Sequence, residues 1–372
     1  MRALCIVLLL GALGNCSRAP EVQFFSADNY PTKLSSWGII RTQDNAILLA
    51  ASSHVYDLNT ALFTDHALKL RTVHIPTGAS ATFASYEAFD LPVGSVISKT
   101  FFYKINTQGE ALLDAEFNGD PASLNLDNIR LIETRLLVKQ AAGWNALPYV
   151  WKEGKEGQDG DAYLAITGDL LNVAAANTDN LNYLVPSKNQ CASCHATNHT
   201  SGEILPIGIK ARHLNRADPV HGHNQLISWQ DRGQLEGLPN LNKLTPNALW
   251  RDETSADAPA ELSHRARSYL DINCGHCHNP QGSADTSALL LDYQTHDPAA
   301  LGVCKAPIAA GRGSGGYLYS IVPGQPDTSI MTFRMTTNDP GAMMPELGRS
   351  LVHAEGLALV SAWIAQMQGE CR

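Results

Sequence analysis

The stretch YLDINCGHCHNPQGSADTS, residues 269–287, contains the motif that decides how this chain is organised. Within it, residues 274–278 are Cys-Gly-His-Cys-His, and residues 191–195 have the same form as Cys-Ala-Ser-Cys-His. We refer to residues 191–195 as the first motif and to residues 274–278 as the second motif. A single Cys-x-x-Cys-His could be accidental, but two copies in one chain indicate one chemistry used twice.

The N-terminal stretch MRALCIVLLLGALGNCSRAP indicates export. Arg2 precedes an apolar run that ends at Leu13, and small residues with Cys16 follow. This pattern predicts a secretory signal over residues 1–15, too short to span a bilayer. Cys16 occupies the position of the lipidated cysteine in a bacterial lipoprotein signal, and simple cleavage near Gly14 is the alternative. We therefore expect an exported protein, either periplasmic or anchored by lipid to the outer membrane, with no transmembrane helix.

Three chemistries use paired cysteines of this kind. A structural zinc site would take both pairs as four thiolates, and a redox dithiol would need one pair at a helix N-terminus. A c-type haem needs both cysteines as thioether anchors and the following histidine as iron ligand. A dithiol does not need the histidine, and structural zinc is less expected in an exported chain. The pattern favours two covalently bound haem c groups, attached at Cys191, Cys194, Cys274 and Cys277, with His195 and His278 bound to iron.

The remaining cysteines predict a disulfide. The chain has eight cysteines, of which Cys5 lies in the signal, Cys16 at the lipidation site and four in the motifs. Cysteines left over in an exported protein usually pair in the oxidising compartment. We expect a bond between Cys304 and Cys371, with two free thiols as the alternative.

The second motif has a candidate for the other axial ligand of its iron. The segment DPGAMMPELGRS, residues 339–350, lies between the second motif and the C-terminal helix. Met344, next to a proline, is the expected thioether ligand, and Met343 is the second choice. Both methionines could instead fill gaps in the core. Arg349, and Arg312 in the glycine-rich stretch 311–316, are candidate partners of the haem propionates.

The first motif lacks such a methionine nearby. Its sixth ligand could be a local histidine, a methionine from the following domain, or an open position. The candidate side chains are His199, His213, His221, His223, Met331 and Met335.

The rest of the chain predicts a multi-domain α+β protein. Short runs of β-branched and aromatic residues separated by turns indicate a β-rich, sandwich-like domain over residues 16–186. Residues 187–255 form a first haem-binding segment. Residues 256–372 have apolar residues at helical spacing on both sides of the second motif, which predicts a mainly α-helical, class I cytochrome c-like domain. Tyr269 and Trp363 are expected where its two helices cross.

The charge of the chain argues against nucleic-acid binding. The net charge is −9, and no cluster of lysine and arginine suggests nucleic-acid binding. An exported dihaem protein would exchange electrons with redox partner proteins of the cell envelope. The alternative is a dihaem peroxidase-like enzyme whose first haem is open to peroxide.

Several stretches resemble one family. They are VYDLNTALFTDHALKLR (55–71), FDLPVGSVISKTF (89–101), ARSYLDINCGHCHNP (266–280) and DPGAMMPELGRSLVHAEG (339–356). Together they resemble a family of bacterial exported dihaem c-type cytochromes over residues 28–368. The resemblance implies proximal ligands at His195 and His278, a distal ligand at Met344, and electron transfer outside the cytoplasm. It implies no substrate.

Overall fold

The computed structural model of the chain describes residues 20–117, 120–152, 160–250, 259–308 and 310–372. The expected signal segment and Cys16 lie outside the described residues. No helix of the described ranges combines the length and the apolar character that a bilayer crossing requires.

The largest element is a six-stranded antiparallel sheet with the strand order β3-β4-β6-β7-β8-β9. Its long central strands are rich in β-branched and aromatic residues, which favour a pleated, half-buried surface. Three two-stranded sheets, β1-β2, β10-β11 and β5-β12, accompany it. The strands are β1 (Ile40–Gln43), β2 (Ala46–Leu49), β3 (Ser53–Val55), β4 (Leu68–His74), β5 (Ala81–Thr82), β6 (Val96–Lys104), β7 (Ile129–Gln140), β8 (Gly143–Trp151), β9 (Ala162–Leu164), β10 (Asp169–Val173), β11 (Leu181–Val185) and β12 (Leu235–Glu236).

The two faces of the large sheet are covered differently. Successive side chains of a strand point to opposite faces, so each strand contributes to two layers. One face packs against the N-terminal segment, where Trp37 donates a hydrogen bond to the Tyr149 hydroxyl at 2.8 Å. The opposite face carries Leu137 and Ala146, and Cys191 of the first motif packs against them. The first motif is therefore fixed to the sheet.

Six α-helices fall within the described residues, and two of them precede or contain the motifs. Helix α1 begins with a capping box between Ser187 and Gln190, so the first motif forms its last turns. Helix α4 continues into a π-helical turn over Asp271–Gly275, where the second motif begins. Single π turns are frequent at functional sites. The helices are α1 (Lys188–His195), α2 (Ala211–Leu214), α3 (Gln225–Asp231), α4 (Pro259–Leu270), α5 (Ile330–Thr336) and α6 (Ala354–Ala365).

Helices α4 and α6 pack against each other around a glycine. Tyr269 and Trp363 belong to the same core cluster. A Cβ atom at Gly356 would lie 2.4 Å from Cζ of Tyr269, which is closer than atoms can approach. The glycine therefore allows α6 to approach the ring of Tyr269.

Polar contacts join two of the segments predicted from the sequence, the β-rich segment 16–186 and the C-terminal segment 256–372. Asp65, in the loop before β4, accepts hydrogen bonds from the backbone N–H groups of Ser350 and Leu351, each at 2.8 Å. Asn273, next to the second motif, accepts one from the Phe63 N–H at 2.8 Å. These bonds hold the C-terminal region against the loop that leads into β4. At the chain end, Cys304 and Cys371 are joined by a disulfide.

The fold class expected from the sequence is wrong. The protein is sheet-rich, with 22% helix and 23% strand, and residues after the second motif do not form a mainly α-helical class I cytochrome c-like region. Glycine, proline and aspartate interrupt the segments between α4 and α5 and between α5 and α6, which form turns and short 3₁₀ segments. The β-rich part is built on one large sheet rather than on two facing sheets of similar size. Helices and loops of the first-motif segment cover part of one of its faces, and the small sheet β10-β11 covers another part.

A buried ion pair connects the segment that contains the first motif to the π-helical turn where the second motif begins. Arg212 donates to the carboxylate of Asp271, and both side chains are buried. Replacing Arg212 with methionine should cost about 3–5 kcal/mol of unfolding free energy, because Asp271 loses its charged partner and keeps only neutral ones, His213 and the backbone N–H of Tyr293. Urea denaturation measures this loss.

The matched control is Lys152→Met, which removes a partly exposed pair with Asp169 at 3.4 Å. Such pairs contribute about 0–1 kcal/mol. Equal losses in the two variants would show that the buried pair does not hold the segments together.

Candidate functional site

The histidine of each motif is held by the same kind of hydrogen bond. Nδ1 of His195 lies 2.7 Å from the carbonyl oxygen of Leu205, and Nδ1 of His278 lies 3.1 Å from that of Leu289. A carbonyl only accepts, so in both rings Nδ1 carries the proton and donates it. The lone pair of Nε2 is then available to a metal, which is how metal-bound histidines are usually oriented.

Burial keeps these rings neutral. It lowers the pKa of His195 to about 4 and lowers that of His278 as well, against the opposing effect of the two carbonyls. A neutral imidazole is the form that binds a metal ion. Both motif histidines are thus oriented and in the right charge state to be iron ligands.

The two motifs, which are far apart in the chain, touch each other. The thiol of Cys277 donates to the carbonyl of Ser193 at 3.3 Å. The ligand atoms of Cys194, His276 and Cys277 all lie within 4.8 Å of one another. The thiol–thiol hydrogen bond lowers the pKa of Cys277 and raises that of Cys194. Groups attached at the two motifs would therefore be neighbours.

This cluster could also hold a zinc ion, since two thiolates and an imidazole are ligands that zinc prefers. Such a site would take His276 from a variable position of the motif. It would leave Cys191 and Cys274, and the two oriented histidines, without a role. Zinc therefore accounts for less of the observed geometry than haem does.

A mainly apolar cavity of about 380 Å³ lies at the second motif. Its volume falls in the range of cofactor pockets, about 300–1,000 Å³. Its wall contains Cys274, Cys277 and His278, together with Met344, while Met343 is not among its lining residues. Two anchor cysteines, an oriented histidine, a thioether and apolar walls are the donor set that a covalent haem needs. The residues present fit that group.

Methionines from helix α5 complete the apolar wall. Met331 and Met335 line the same cavity, as do Leu289 and Leu291. Both methionines were candidates for the sixth ligand of the first motif, but they lie beside the second. Met344 enters the cavity from the loop between α5 and α6.

Arg349 holds the Met344 loop. It is buried, and its guanidinium donates to the carbonyl of Met344 at 3.1 Å and to that of Thr337 at 2.9 Å. Further bonds reach Asn338, Leu351 and the carbonyl of Arg334. With its donors engaged by the loop, Arg349 acts on the position of Met344 rather than as a free cation.

Arg312 and Arg334 differ in their access to the cavity. Arg312 is largely exposed and pairs with Asp339 at 3.5 Å, away from the cavity. Arg334 lines the cavity, and its Nε donates to the Ala342 carbonyl at 2.8 Å. Its remaining N–H groups make Arg334 the better partner for a carboxylate in this cavity.

The histidine candidates for the sixth ligand of the first motif are engaged elsewhere or lie at the surface. His199 lies beside the carbonyls of Gln281 and Gly282, His213 bonds Asp271, and His221 bonds Asp218. His223 is exposed. None of these four side chains is brought to His195 by a contact among the described residues.

Three cavity residues were missed by sequence reasoning. Arg334 shares helix α5 with Met331 and Met335, so helical spacing could have placed all three on one face. Phe63 and His353 stack at 4.1 Å between ring centroids at the edge of the cavity. They come from distant parts of the chain, and no local pattern could have paired them.

Comparisons of the chain with protein-family models, with curated proteins and with solved structures found no match. The resemblance to dihaem cytochromes stays a prediction based on the sequence.

Loss of Arg349 should release the Met344 loop. Arg349→Met removes charge-assisted hydrogen bonds to buried carbonyls, and we expect a loss of roughly 2–4 kcal/mol in unfolding free energy. Arg312→Met, at an exposed position, should change it by less than about 0.5 kcal/mol. Thermal unfolding of both variants, without bound haem, measures these losses. Equal stabilities of the two variants would show that Arg349 does not hold the Met344 loop.

Proposed function

We propose that this chain is a dihaem c-type cytochrome that transfers electrons outside the cytoplasm. The observation that carries the proposal is the composition of one cavity. Its wall contains the attachment cysteines and the oriented histidine of the second motif together with Met344. The first motif repeats the same cysteines and the same histidine hydrogen bond.

The roles of the residues follow from their chemistry. When bound, each haem supplies an iron centre that takes up and releases one electron. Cys274 and Cys277 attach the group, and the bond from His278 to Leu289 keeps Nε2 turned to the metal. The Met344 thioether favours the reduced iron and so raises the potential. The apolar wall excludes water, which adds to this effect.

The contact between the motifs supports a role in electron transfer. Cys194 of the first motif lines the cavity of the second, close to Cys277. Thioether-linked groups at these two cysteines would meet at their edges, and electron transfer becomes faster as such edges approach. An electron could then enter at one centre and leave from the other.

A second candidate function is a peroxidase-like enzyme whose first haem is open. It is favoured by the engagement of His199, His213 and His221 with other partners. An iron with one free position could bind peroxide, whereas a saturated iron only passes electrons.

The cellular setting belongs to the same proposal. Export, a lipid anchor at Cys16 and redox partners in the cell envelope fit a carrier that works at a membrane surface. The β-rich part would then hold the first motif and offer a surface to a partner.

Production in a host that matures c-type cytochromes tests the proposal. We expect two haems per chain, measured by the pyridine haemochrome spectrum and by the intact mass. Cys274→Ala with Cys277→Ala should leave one haem, and so should Cys191→Ala with Cys194→Ala. A colourless protein with the mass of the bare chain, or one containing stoichiometric zinc, would refute the function.

The same preparation distinguishes the two candidates. A carrier should have two low-spin irons and no turnover of peroxide with a reduced dye. Turnover together with a high-spin iron that is lost with the first motif would favour the peroxidase.

The Met344 ligand has its own test. Met344→Ala should lower the potential of one haem and abolish the weak long-wavelength band of a methionine–iron(III) bond, because the thioether is lost. The neighbouring Met343→Ala is the matched control and should change neither. Equal behaviour of the two variants would exclude Met344 as the ligand.

A further inference from the structure

A row of cations crosses the sheet face that carries the first motif. The strand register places Arg71 of β4 opposite Lys99 of β6, and Lys99 opposite Arg135 of β7. Lys69 lies two residues before Arg71 on the same face. We name these four residues the cationic belt. Like charges on directly opposed residues destabilise a sheet, so the belt needs a compensating partner.

The ring of Phe101 provides part of that compensation. The distances from its centroid are 4.9 Å to Nζ of Lys99, 4.5 Å to the guanidinium of Arg135 and 5.7 Å to Nζ of Lys69. A cation over an aromatic face gains about 0.5–2 kcal/mol. One ring shared by three partly buried cations gives only partial compensation.

The carboxylates nearby do not balance the belt. Glu133 is engaged by Arg135 at 2.8 Å, and Asp57 by Arg71 at 2.7 Å. Asp57 also pairs with Arg216, outside the belt, at 3.2 Å.

Two members of the belt lack a full set of partners among the described residues. Lys99 has no carboxylate partner there. Arg71 is only 4% exposed, yet its Nε and Nη2 atoms have no hydrogen-bond partner. Buried guanidinium donors without acceptors mark a place where an anion is expected.

The pKa shifts agree with a missing anion. Burial first, and then the neighbouring cations, lower the pKa of Lys99 well below its usual value. The same causes lower the pKa of Lys69 to about 7. An anion at the belt would oppose both shifts.

The position of the belt connects it to the first motif. It lies between two apolar clusters of the same sheet face. Cys191 packs against Leu137, which is two residues beyond Arg135 on β7. After burial, the charges of Lys99 and Arg135 are among those acting on His195. A group attached to the first motif would therefore adjoin the belt.

We propose that the cationic belt is a carboxylate site, and that it holds the propionates of the haem attached to the first motif. This inference rests on the proposed function and names the residues that would position that group. Carboxylates fit the guanidinium donors of Arg71 and the ammonium group of Lys99. A diffusible oxyanion has the same chemistry, so the experiment must separate the two sources.

The test uses the haem-loaded full chain and the variant Lys99→Met. Removing a cation beside the first haem should lower the potential of that haem alone and shift the resonance Raman band of its propionates. Lys99→Arg should restore both. The matched control is Lys139→Met on the neighbouring strand β7, because Lys139 already faces Asp90 and Glu203. It should leave the band and both potentials unchanged.

Added inorganic phosphate distinguishes the two possible occupants of the belt, a haem propionate and a diffusible oxyanion. If propionates fill the belt, added phosphate changes neither potential. A saturable phosphate effect that Lys99→Met abolishes would assign the belt to a diffusible oxyanion and overturn the propionate assignment. A folded Lys99→Met protein with unchanged band and potential would overturn it as well.

Failure of the proposed function gives a different result. A chain that takes up no haem would refute the proposed cytochrome function, and anion binding at the belt would then be tested on the haem-free chain. Calorimetry of that chain with phosphate would then show binding that weakens in Lys99→Met if the belt is an anion site. No binding would overturn the anion site itself.

Discussion

The hydrogen bond from each motif histidine to a backbone carbonyl is the constraint on which the site depends. A buried imidazole can point either nitrogen at a metal, and the carbonyls of Leu205 and Leu289 decide between them. The bonded residues are close in the chain: His195 and Leu205 are ten positions apart, and His278 and Leu289 are eleven. The same kind of hydrogen bond thus orients both histidines, although a sheet face supports the first motif and a helix end supports the second.

The supporting elements hold the motifs together through buried polar contacts. The Arg212–Asp271 pair and the acceptors Asp65 and Asn273 cross between distant segments. Apolar packing alone would tolerate sliding of one segment over another, whereas a buried charge has one favourable position.

The two motifs differ in what surrounds them. The second has methionines, an apolar wall and Arg334. The first adjoins a sheet face with four cations, of which Lys99 has no carboxylate partner among the described residues. A carrier with two unlike environments would have two unlike potentials, and electrons would then prefer one direction of transfer.

Residue type and local spacing alone were enough to predict a candidate site, because they single out the paired cysteines, the histidine that follows each pair, and Met344 as possible ligands. The β-rich composition of the first half was also readable from strand-forming runs. The prediction of a mainly helical, cytochrome c-like region was wrong. Apolar residues recur at helical spacing only around α4 and α6, and the segments between these helices largely form turns. The tertiary structure was needed to show that the motifs touch, that Arg349 holds a loop and lines the cavity together with Arg334, and that Arg71, Lys99 and Arg135 align. These are pairings between residues far apart in the chain, and they depend on strand register and helix packing, which no local pattern encodes.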